Sequence, residues 1–247
     1  MALLEVENLR AGYGGGPDIL VDLTLRIEQK RSCCIIGPNG AGKSTLLRVI
    51  CGLLPPRQGQ VIFKGESLSR LRTDEILRRG VCYVPQDHSL FGDMTVKENI
   101  RMGGYILEDR KEVERRLDEV LHVFPILRER GSLPAKTLSG GEQQMLVLGR
   151  TMVLRPEIVM LDEPSLGLAP KISKQVFDNI SQLRSAGMTV VLVEQNARKG
   201  LEFAEWGHVL DLGKALFEGP SSTILDDPRI QELYLGKRRY RQRAGSA

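Results

Sequence analysis

The chain has 247 residues, 41% hydrophobic and 27% charged, with a net charge of +4. That length allows one large domain or two small ones with a sizeable core, and the composition is ordinary for a soluble globular protein. Apolar runs such as Ile158–Leu161 and Val190–Val193 are too short to cross a bilayer, and so small a net charge does not demand a nucleic-acid partner.

The opening "MALLEVENLR" has no basic n-region and no cleavage site, so no signal peptide is expected and the chain is expected to stay in the cytosol. Cys33, Cys34, Cys51 and Cys82 show no CxxC spacing, and they read as buried reduced thiols.

In chain order, strands are predicted at Leu3–Asn8, Asp22–Ile27, Cys33–Ile36, Gln60–Phe63, Val81–Val84, Ile158–Leu161, Met188–Val193, His208–Asp211 and Ala215–Glu218. Helices are predicted at Lys43–Gly52, Thr73–Arg79, Arg110–Phe124, Gly140–Leu154, Pro170–Ser185 and Ala197–Glu202. Alternating strands and helices imply an α/β fold with a parallel sheet, and the early turn-linked strands imply a small antiparallel piece attached to it. Between Asp87 and Pro134 the β signals fade. "RKEVERRLDEVLHVF" there puts Val113, Leu117, Val120, Leu121 and Phe124 on one helical face. The stretch reads as a helical subdomain, about residues 87–155, inserted into the α/β core.

"CCIIGPNGAGKSTLL" is the most specific signal. Gly37 to Ser44 fits G-x-x-x-x-G-K-[ST], with an apolar strand before it and a helix after it. Gly37, Gly40 and Gly42 let the backbone curl so that successive N–H groups point at phosphate oxygens. The helix beginning near Lys43 adds its positive N-terminal end. Lys43 is expected at the β- and γ-phosphates and Ser44 at Mg²⁺, so the chain is predicted to bind a nucleotide. The second signal is "EIVMLDEP". By themselves Asp162 and Glu163 would read as solvated carboxylates at a strand end. Beside a phosphate loop they read otherwise, because open α/β sheets bind ligands at their C-terminal edge. Asp162 then suits Mg²⁺, directly or through water, and Glu163 suits the water that attacks the γ-phosphate.

The third signal, "TLSGGEQQMLVLGRTMVLRPEIVMLDEP", runs straight into those carboxylates. Ser139 is an expected N-cap, and Gly140 and Gly141 permit close backbone approach to an anion. Alone the heptapeptide Leu138–Gln144 is equally a capped helix. In this position it resembles the signature of the ATP-binding cassette of ABC transporters, and the resemblance covers about Leu3 to Gly236.

That resemblance implies a P-loop cassette with a mixed parallel core sheet, an antiparallel β subdomain and an inserted helical subdomain. It implies one ATP-binding domain over residues 1–236 and a basic tail over 237–247. It places ATP on Gly37, Pro38, Asn39, Gly40, Ala41, Gly42, Lys43, Ser44 and Thr45, with Mg²⁺ at Ser44, Asp162 and Gln86. Cassettes of this family pair head to tail, so Ser139, Gly140, Gly141 and Glu142 would serve the ATP of a second cassette. Gln86, in "YVPQD", is similar to the family's Q-loop glutamine, and Tyr13, in "AGYGGG", to its adenine-stacking aromatic. "MTVKENI", "DEPSLGLAP", "VEQNA" and the terminal "YLG" are similar to the second ATPase of branched-chain amino acid importers, with urea and short-amide importers close behind. The implied partners are a second cassette, two membrane permease subunits and, indirectly, a solute-binding protein, and the implied location is the cytoplasmic face of the membrane.

Three positions depart from the family pattern. Gln195 stands where many cassettes have a histidine on the γ-phosphate; it can donate an N–H but cannot titrate near neutral pH. Ala169 stands where an interface aspartate is common, and "IEQKRSC" replaces a more usual glycine and glutamate. None of His88, His122 and His208 is placed to substitute for the missing histidine. Glu194 and Asn196 are expected to flank the turn after the strand. The basic run "KRRYRQR", Lys237–Arg243, leaves open an ATPase acting on nucleic acid or ribosomes, although a frayed or lipid-facing terminus is the plainer reading and no nucleic acid is expected. A regulatory subunit that hydrolyses poorly is the other rival, and the intact Glu163 argues against it.

Overall fold

The computed structural model describes residues 2–87 and 89–233, with backbone alone for 231–233. His88, the "YLG" at Tyr234–Gly236 and the basic tail at Lys237–Arg243 lie outside the described residues.

The chain opens with β1 (Ala2–Ala11), β2 (Leu20–Glu28), β3 (Cys33–Ile36), α1 (Lys43–Ile50), β4 (Gln58–Phe63), β5 (Glu66–Ser67), α2 (Thr73–Arg78) and β6 (Val81–Val84). A helical stretch follows: α3 (Val96–Gly103), α4 (Arg110–Val123), α5 (Pro125–Glu129) and α6 (Gly140–Leu154). The chain then alternates through β7 (Ile158–Asp162), α7 (Pro170–Ser185), β8 (Thr189–Val193), α8 (Ala197–Phe203), β9 (Trp206–Asp211) and β10 (Lys214–Pro220), and closes with α9 (Ser221–Asp226) and α10 (Pro228–Leu233).

Two sheets form. The smaller is antiparallel in the order β2-β1-β4-β5, and the larger runs β10-β9-β3-β8-β7-β6. In the larger sheet every pairing is parallel except the β9–β10 hairpin. Strands β3, β7 and β8 are buried along their whole length. That is why they read as unbroken apolar runs: both faces of a parallel sheet are covered.

Period-two alternation divides those side chains between two cores. Ile158 and Met160 of β7, and Val191 and Val193 of β8, join a core with α1 and the antiparallel sheet. Val159, Leu161, Val190 and Leu192 face the opposite way, against Leu146, Leu148 and Val153 of α6 and Val176, Ile180 and Leu183 of α7. Strand β3 splits the same way. Cys33 and Ile35 join the first core, while Cys34 and Ile36 pack with Leu201, Val209 and Ile224. All four cysteines are buried and free, and burial pushes the Cys33 and Cys82 thiols up to about 12.

The nine strands expected from sequence all form, with ends displaced by up to three residues. The two-residue β5 and the helices α3, α5, α9 and α10 were not expected. They are short, and none carries a long amphipathic repeat. Helix α3 is held by Thr95, which accepts a hydrogen bond from the Glu98 amide at 3.2 Å while the Glu98 carboxylate accepts from the Thr95 amide at 2.7 Å. Fully buried Asn99 ties this helix to the loop ahead of it. Its Nδ2 donates to the carbonyls of Phe91 (2.9 Å), Met94 (3.3 Å) and Thr95 (3.0 Å), and its Oδ1 accepts from the Phe91 amide at 2.9 Å.

Removing that side chain leaves part-buried backbone groups without their partner. Asn99→Ala is expected to lower unfolding stability by about 2–3 kcal/mol, read as a reduced urea midpoint at unchanged m-value.

Candidate functional site

The register of the parallel sheet builds the site. Val193 lies between Ile35 on β3 and Asp162 on β7, and Leu161 lies beside Val84 on β6. Four strands therefore end on one line, and the residues that follow them (Gly37, Gln86, Glu163 and Gln195) leave the sheet at one edge.

Gly37 is close-packed: a Cβ there would stand 2.3 Å from the Leu210 carbonyl oxygen. Gly42, at φ 96°, is the residue before α1, and a Cβ there would stand 2.7 Å from Leu20. Only glycine meets both demands, a left-handed turn and a near backbone. Helix α1 begins without a side-chain cap, so its first N–H groups face the loop. Lys43 is buried, 5% exposed, and its Nζ donates to the carbonyls of Gly37 (2.9 Å) and Pro38 (3.1 Å). Pro38, Asn39 and Gly40 are exposed at the loop tip, whereas Ala41 and Thr45 are buried beneath it.

Ser44 Oγ donates to Asp162 Oδ1 at 3.0 Å, which joins the helix to the strand end. Asp162 is 5% exposed, and its other oxygen, Oδ2, accepts from the Tyr83 hydroxyl at 3.0 Å. Burial, then the neighbouring Asp162 charge, raises the Tyr83 phenol well above its ordinary value, so it remains a donor. Glu163 breaks out of the strand with φ 48°, while its amide donates to the Val193 carbonyl at 2.8 Å. A left-handed glutamate is uncommon. Here it swings the carboxylate over the phosphate loop, where a cleft of about 400 Å³ is lined by Ile19, Asn39, Gly42, Lys43, Ser44 and Glu163, among others. Burial raises the Glu163 carboxyl above its ordinary value, with the Lys43 charge opposing and Asp162 adding to the rise. Burial likewise lowers the Lys43 ammonium, and Glu163 and Asp162 oppose that. A hydroxyl and a carboxylate, both oxygen donors, fit a hard divalent cation that keeps much of its shell for phosphate and water.

Not every candidate lies on this cleft. Tyr13 is 42% exposed, and its hydroxyl accepts from Arg48 Nη1 at 3.0 Å. Gln86 and Gln195 are exposed at the ends of β6 and β8, outside the cleft lining. Ser139, Gly140, Gly141 and Glu142 also lie outside it, at the exposed start of α6. Glu142 Oε2 accepts from Ser139 Oγ at 2.7 Å and from the Ser139 amide at 2.8 Å. These bonds, the hydroxyl first, hold the Glu142 carboxyl below its ordinary value. His208 sits on β9 beside Ile35, buried, with Nδ1 2.9 Å from Glu218 Oε2.

At the end of β8, Glu194 and Asn196 flank the turn into α8. Asn196 does cap α8, accepting from the Lys199 amide at 3.1 Å. Glu194 has a further part that its position alone does not show. It is 2% exposed and accepts from the Ser165 amide at 3.3 Å, so it ties the end of β8 to the loop after Glu163. Arg48, Tyr83, Ile19 and Glu194 are all parts of this neighbourhood that sequence reasoning did not find.

The model of the ABC transporter family matches residues 20–166. The chain belongs to that family. This ABC ATPase is 41% identical over 224 residues to the high-affinity branched-chain amino acid transport ATP-binding protein BraG of Pseudomonas aeruginosa, covering 91% of this chain and 96% of the relative. It is 37% identical to the probable branched-chain amino acid transport ATP-binding protein LivF of Archaeoglobus fulgidus, covering 95% and 99%. It is 31% identical to the lipopolysaccharide export system ATP-binding protein LptB of Haemophilus influenzae, covering 96% and 98%. Its fold is similar to the ADP conformation of an ATP-binding cassette of an ABC transporter, with TM-score 0.84, 27% identity and coverage of 96% and 100%. Among the described residues, no helix of this ABC ATPase is long and apolar enough to cross a membrane.

Burial raises the Glu194 carboxyl above its ordinary value near 4.5, against the bond from Ser165. A raised carboxyl pKa contributes stability at low pH that is lost as pH climbs through the raised value. Glu194→Gln, which keeps an acceptor, is therefore expected to gain stability relative to wild type as pH rises from about 4.5 through that window. Glu194→Ala, which strands the Ser165 amide, is expected to lose about 1–3 kcal/mol at every pH. Urea unfolding across pH checks both.

Proposed function

We propose that this ABC ATPase is the ATP-hydrolysing subunit of an importer, at the cytoplasmic face of the membrane, and that the solutes are branched-chain amino acids. The observation that carries the reading is the similarity to BraG and LivF along nearly the whole chain, together with a complete phosphate loop and two carboxylates at its edge. The similarity to LptB is lower, at 31%, and it keeps a lipopolysaccharide export ATPase as the second reading.

In the proposed reaction the triphosphate lies on Gly37–Thr45, against the loop amides and the start of α1. The Lys43 ammonium exchanges the Gly37 and Pro38 carbonyls for β- and γ-phosphate oxygens. Mg²⁺ would be held by Ser44 and Asp162, with Gln86 alongside, and would supply charge neutralisation of the phosphates. Glu163 orients the attacking water and accepts its proton, and its burial makes it the stronger base for that task. Gln195 donates an N–H to the γ-phosphate as charge builds there. Tyr13 takes the base on its open face.

Ser139–Glu142 lies off the chain's own cleft and on the surface, which supports its use on the ATP of a second cassette. A groove of about 290 Å³ beside β6, lined by Pro85, Phe91, Met102, Tyr105 and Ile106 among others, supports docking of a permease subunit after Gln86. Phe91 and Tyr105 are 45% and 80% exposed there.

Glu163→Gln is expected to cut turnover by at least about 100-fold while nucleotide affinity changes little, as measured by phosphate release and by binding of a fluorescent ADP. Gln195→Ala is expected to slow turnover about fivefold, the scale of one neutral hydrogen bond, with ADP affinity unchanged. Equal rates in wild type and Glu163→Gln would sink the hydrolytic role.

The solute is tested in proteoliposomes that contain the chain with the permease subunits encoded beside it and their binding protein. ATP-dependent uptake of radiolabelled leucine, isoleucine or valine is expected. Uptake of urea alone, or extraction of lipopolysaccharide, would replace the reading.

A further inference from the structure

The metal-site carboxylate and the exposed tyrosine near the phosphate loop are joined by side chains that have no assigned part in the reaction. Asp162 has two oxygens and two partners: Oδ1 accepts from Ser44, and Oδ2 accepts from Tyr83, each at 3.0 Å. The Tyr83 hydroxyl proton is committed to Asp162, so that oxygen can only accept from elsewhere. Burial raises the Tyr83 phenol, and the nearby Arg48 guanidinium opposes that rise. The same guanidinium donates to the Tyr13 hydroxyl at 3.0 Å, with its carbon 5.9 Å from the Tyr13 ring centroid.

Helix geometry explains why one arginine stands near both phenols. Arg48 stands four residues after Ser44 on α1, one turn along the same face, and points out of the core. Tyr83 lies on β6, paired with Met160 of β7, two positions before Asp162. Its ring therefore crosses from the edge strand toward the start of α1.

We infer that Tyr83 is a positioning residue, with Arg48 beside it, in a row of neighbouring side chains, Tyr13–Arg48–Tyr83–Asp162–Ser44, whose hydrogen bonds from Tyr83 and Ser44 to Asp162 set the rotation of the metal-site carboxylate. The inference rests on the reading of Ser44 and Asp162 as the Mg²⁺ site. With Oδ2 held by the phenol, Asp162 presents Oδ1 to Ser44, which lines the cleft, and a cation bound there meets a carboxylate already fixed in one orientation. Partners of this kind around a metal ligand commonly change metal affinity by 10- to 100-fold when lost. The two halves of the row are not equal. The Tyr83–Asp162 bond is part-buried, whereas the Arg48–Tyr13 bond is exposed and competes with water. The larger effect therefore belongs to Tyr83, and Arg48 acts through it.

The test is binding, not turnover. Fluorescent N-methylanthraniloyl-ADP is titrated onto the full chain in EDTA, and again across a Mg²⁺ series, for wild type, Tyr83→Phe, Arg48→Met and the double variant. Urea midpoints accompany each as a folding control. Tyr83→Phe is expected to leave the EDTA affinity within about twofold and to raise the Mg²⁺ concentration for half-maximal tightening about tenfold. Arg48→Met is expected to raise it about threefold in the wild-type background and to add little in the Tyr83→Phe background, because the row is already cut. A wild-type Mg²⁺ response in Tyr83→Phe overturns the inference. So does an Arg48→Met effect that persists undiminished in the double variant, since Arg48 would then act by another path. A wild-type chain that binds no nucleotide, or binds it without response to Mg²⁺, removes the metal-site reading along with the inference. A wild-type chain that responds normally beside an indifferent Tyr83→Phe removes the inference alone. Arg48 is exposed and lies outside the core, so its variant reports even if Tyr83→Phe loses stability.

Discussion

Val193 is flanked by Ile35 on one side and Asp162 on the other, and everything at the site depends on that row. A parallel sheet has no tight turns between neighbouring strands, so each strand must be brought back by a crossover. Here the crossovers include α7, between β7 and β8, and the whole helical stretch between β6 and β7. Because all four strands point the same way and end in register, each next residue emerges at the same edge. A slip of one residue in β8 would move Glu194 out of its buried place and turn Val190 and Leu192 from the α6–α7 core to the other face. The two cores lock the register, and the register assembles the loop glycines, the two carboxylates and the glutamines from positions far apart in the chain.

Burial gives the assembly its chemistry. Lys43, Asp162 and Glu194 are each 5% exposed or less, and charged groups so placed need partners. Lys43 has two carbonyls, Asp162 a serine and a tyrosine, and Glu194 a backbone amide. Glu163 is different: it is only partly buried, and its left-handed backbone conformation sets it above the loop. Such a conformation persists only where the surroundings over-determine it. The bond from its amide to Val193, and the one from the Leu166 amide back to its carbonyl, do that here. The residue with the least protein around it is the one that has to meet water.

Most of the fold was legible because it is written in local patterns. Unbroken apolar runs gave the buried strands, and Ser139 marked the start of α6. The elements that escaped had weak or misread signals. "TVKE" at Thr95–Glu98 is a capping box, as the hydrogen bonds of α3 show, yet the apolar run behind it is short. At the site, the phosphate loop and the carboxylate pair could be found because each is contiguous. Arg48, Tyr83 and Glu194 could not. Their partners lie 35, 79 and 29 residues away, and no spacing rule links positions that only the sheet register brings together. The burial of Glu194 was hidden for a related reason. Three polar residues in a row at a strand end look alike in sequence, and only the packing of Ser165 and Gly200 around the first shows that it is inside.

The unequal burial along the site carries a consequence for recognition. At the phosphate end the contacts come from buried groups and from backbone amides fixed by two tightly packed glycines. Contacts of this kind cost little to organise and gain strength from the low local dielectric. At the Tyr13 end the ring is 42% exposed and is braced by an exposed arginine, so each interaction there is worth on the order of 1 kcal/mol or less. Stacking, moreover, accepts any base, since every base has a π-face. A nucleotide on this site would be read chiefly through its phosphates. The base would contribute affinity without strong choice, and selectivity for adenine over guanine would have to come from donors and acceptors at the base edge. Beside Tyr13 stands Arg48, whose guanidinium offers donors only, one of them already given to the Tyr13 hydroxyl.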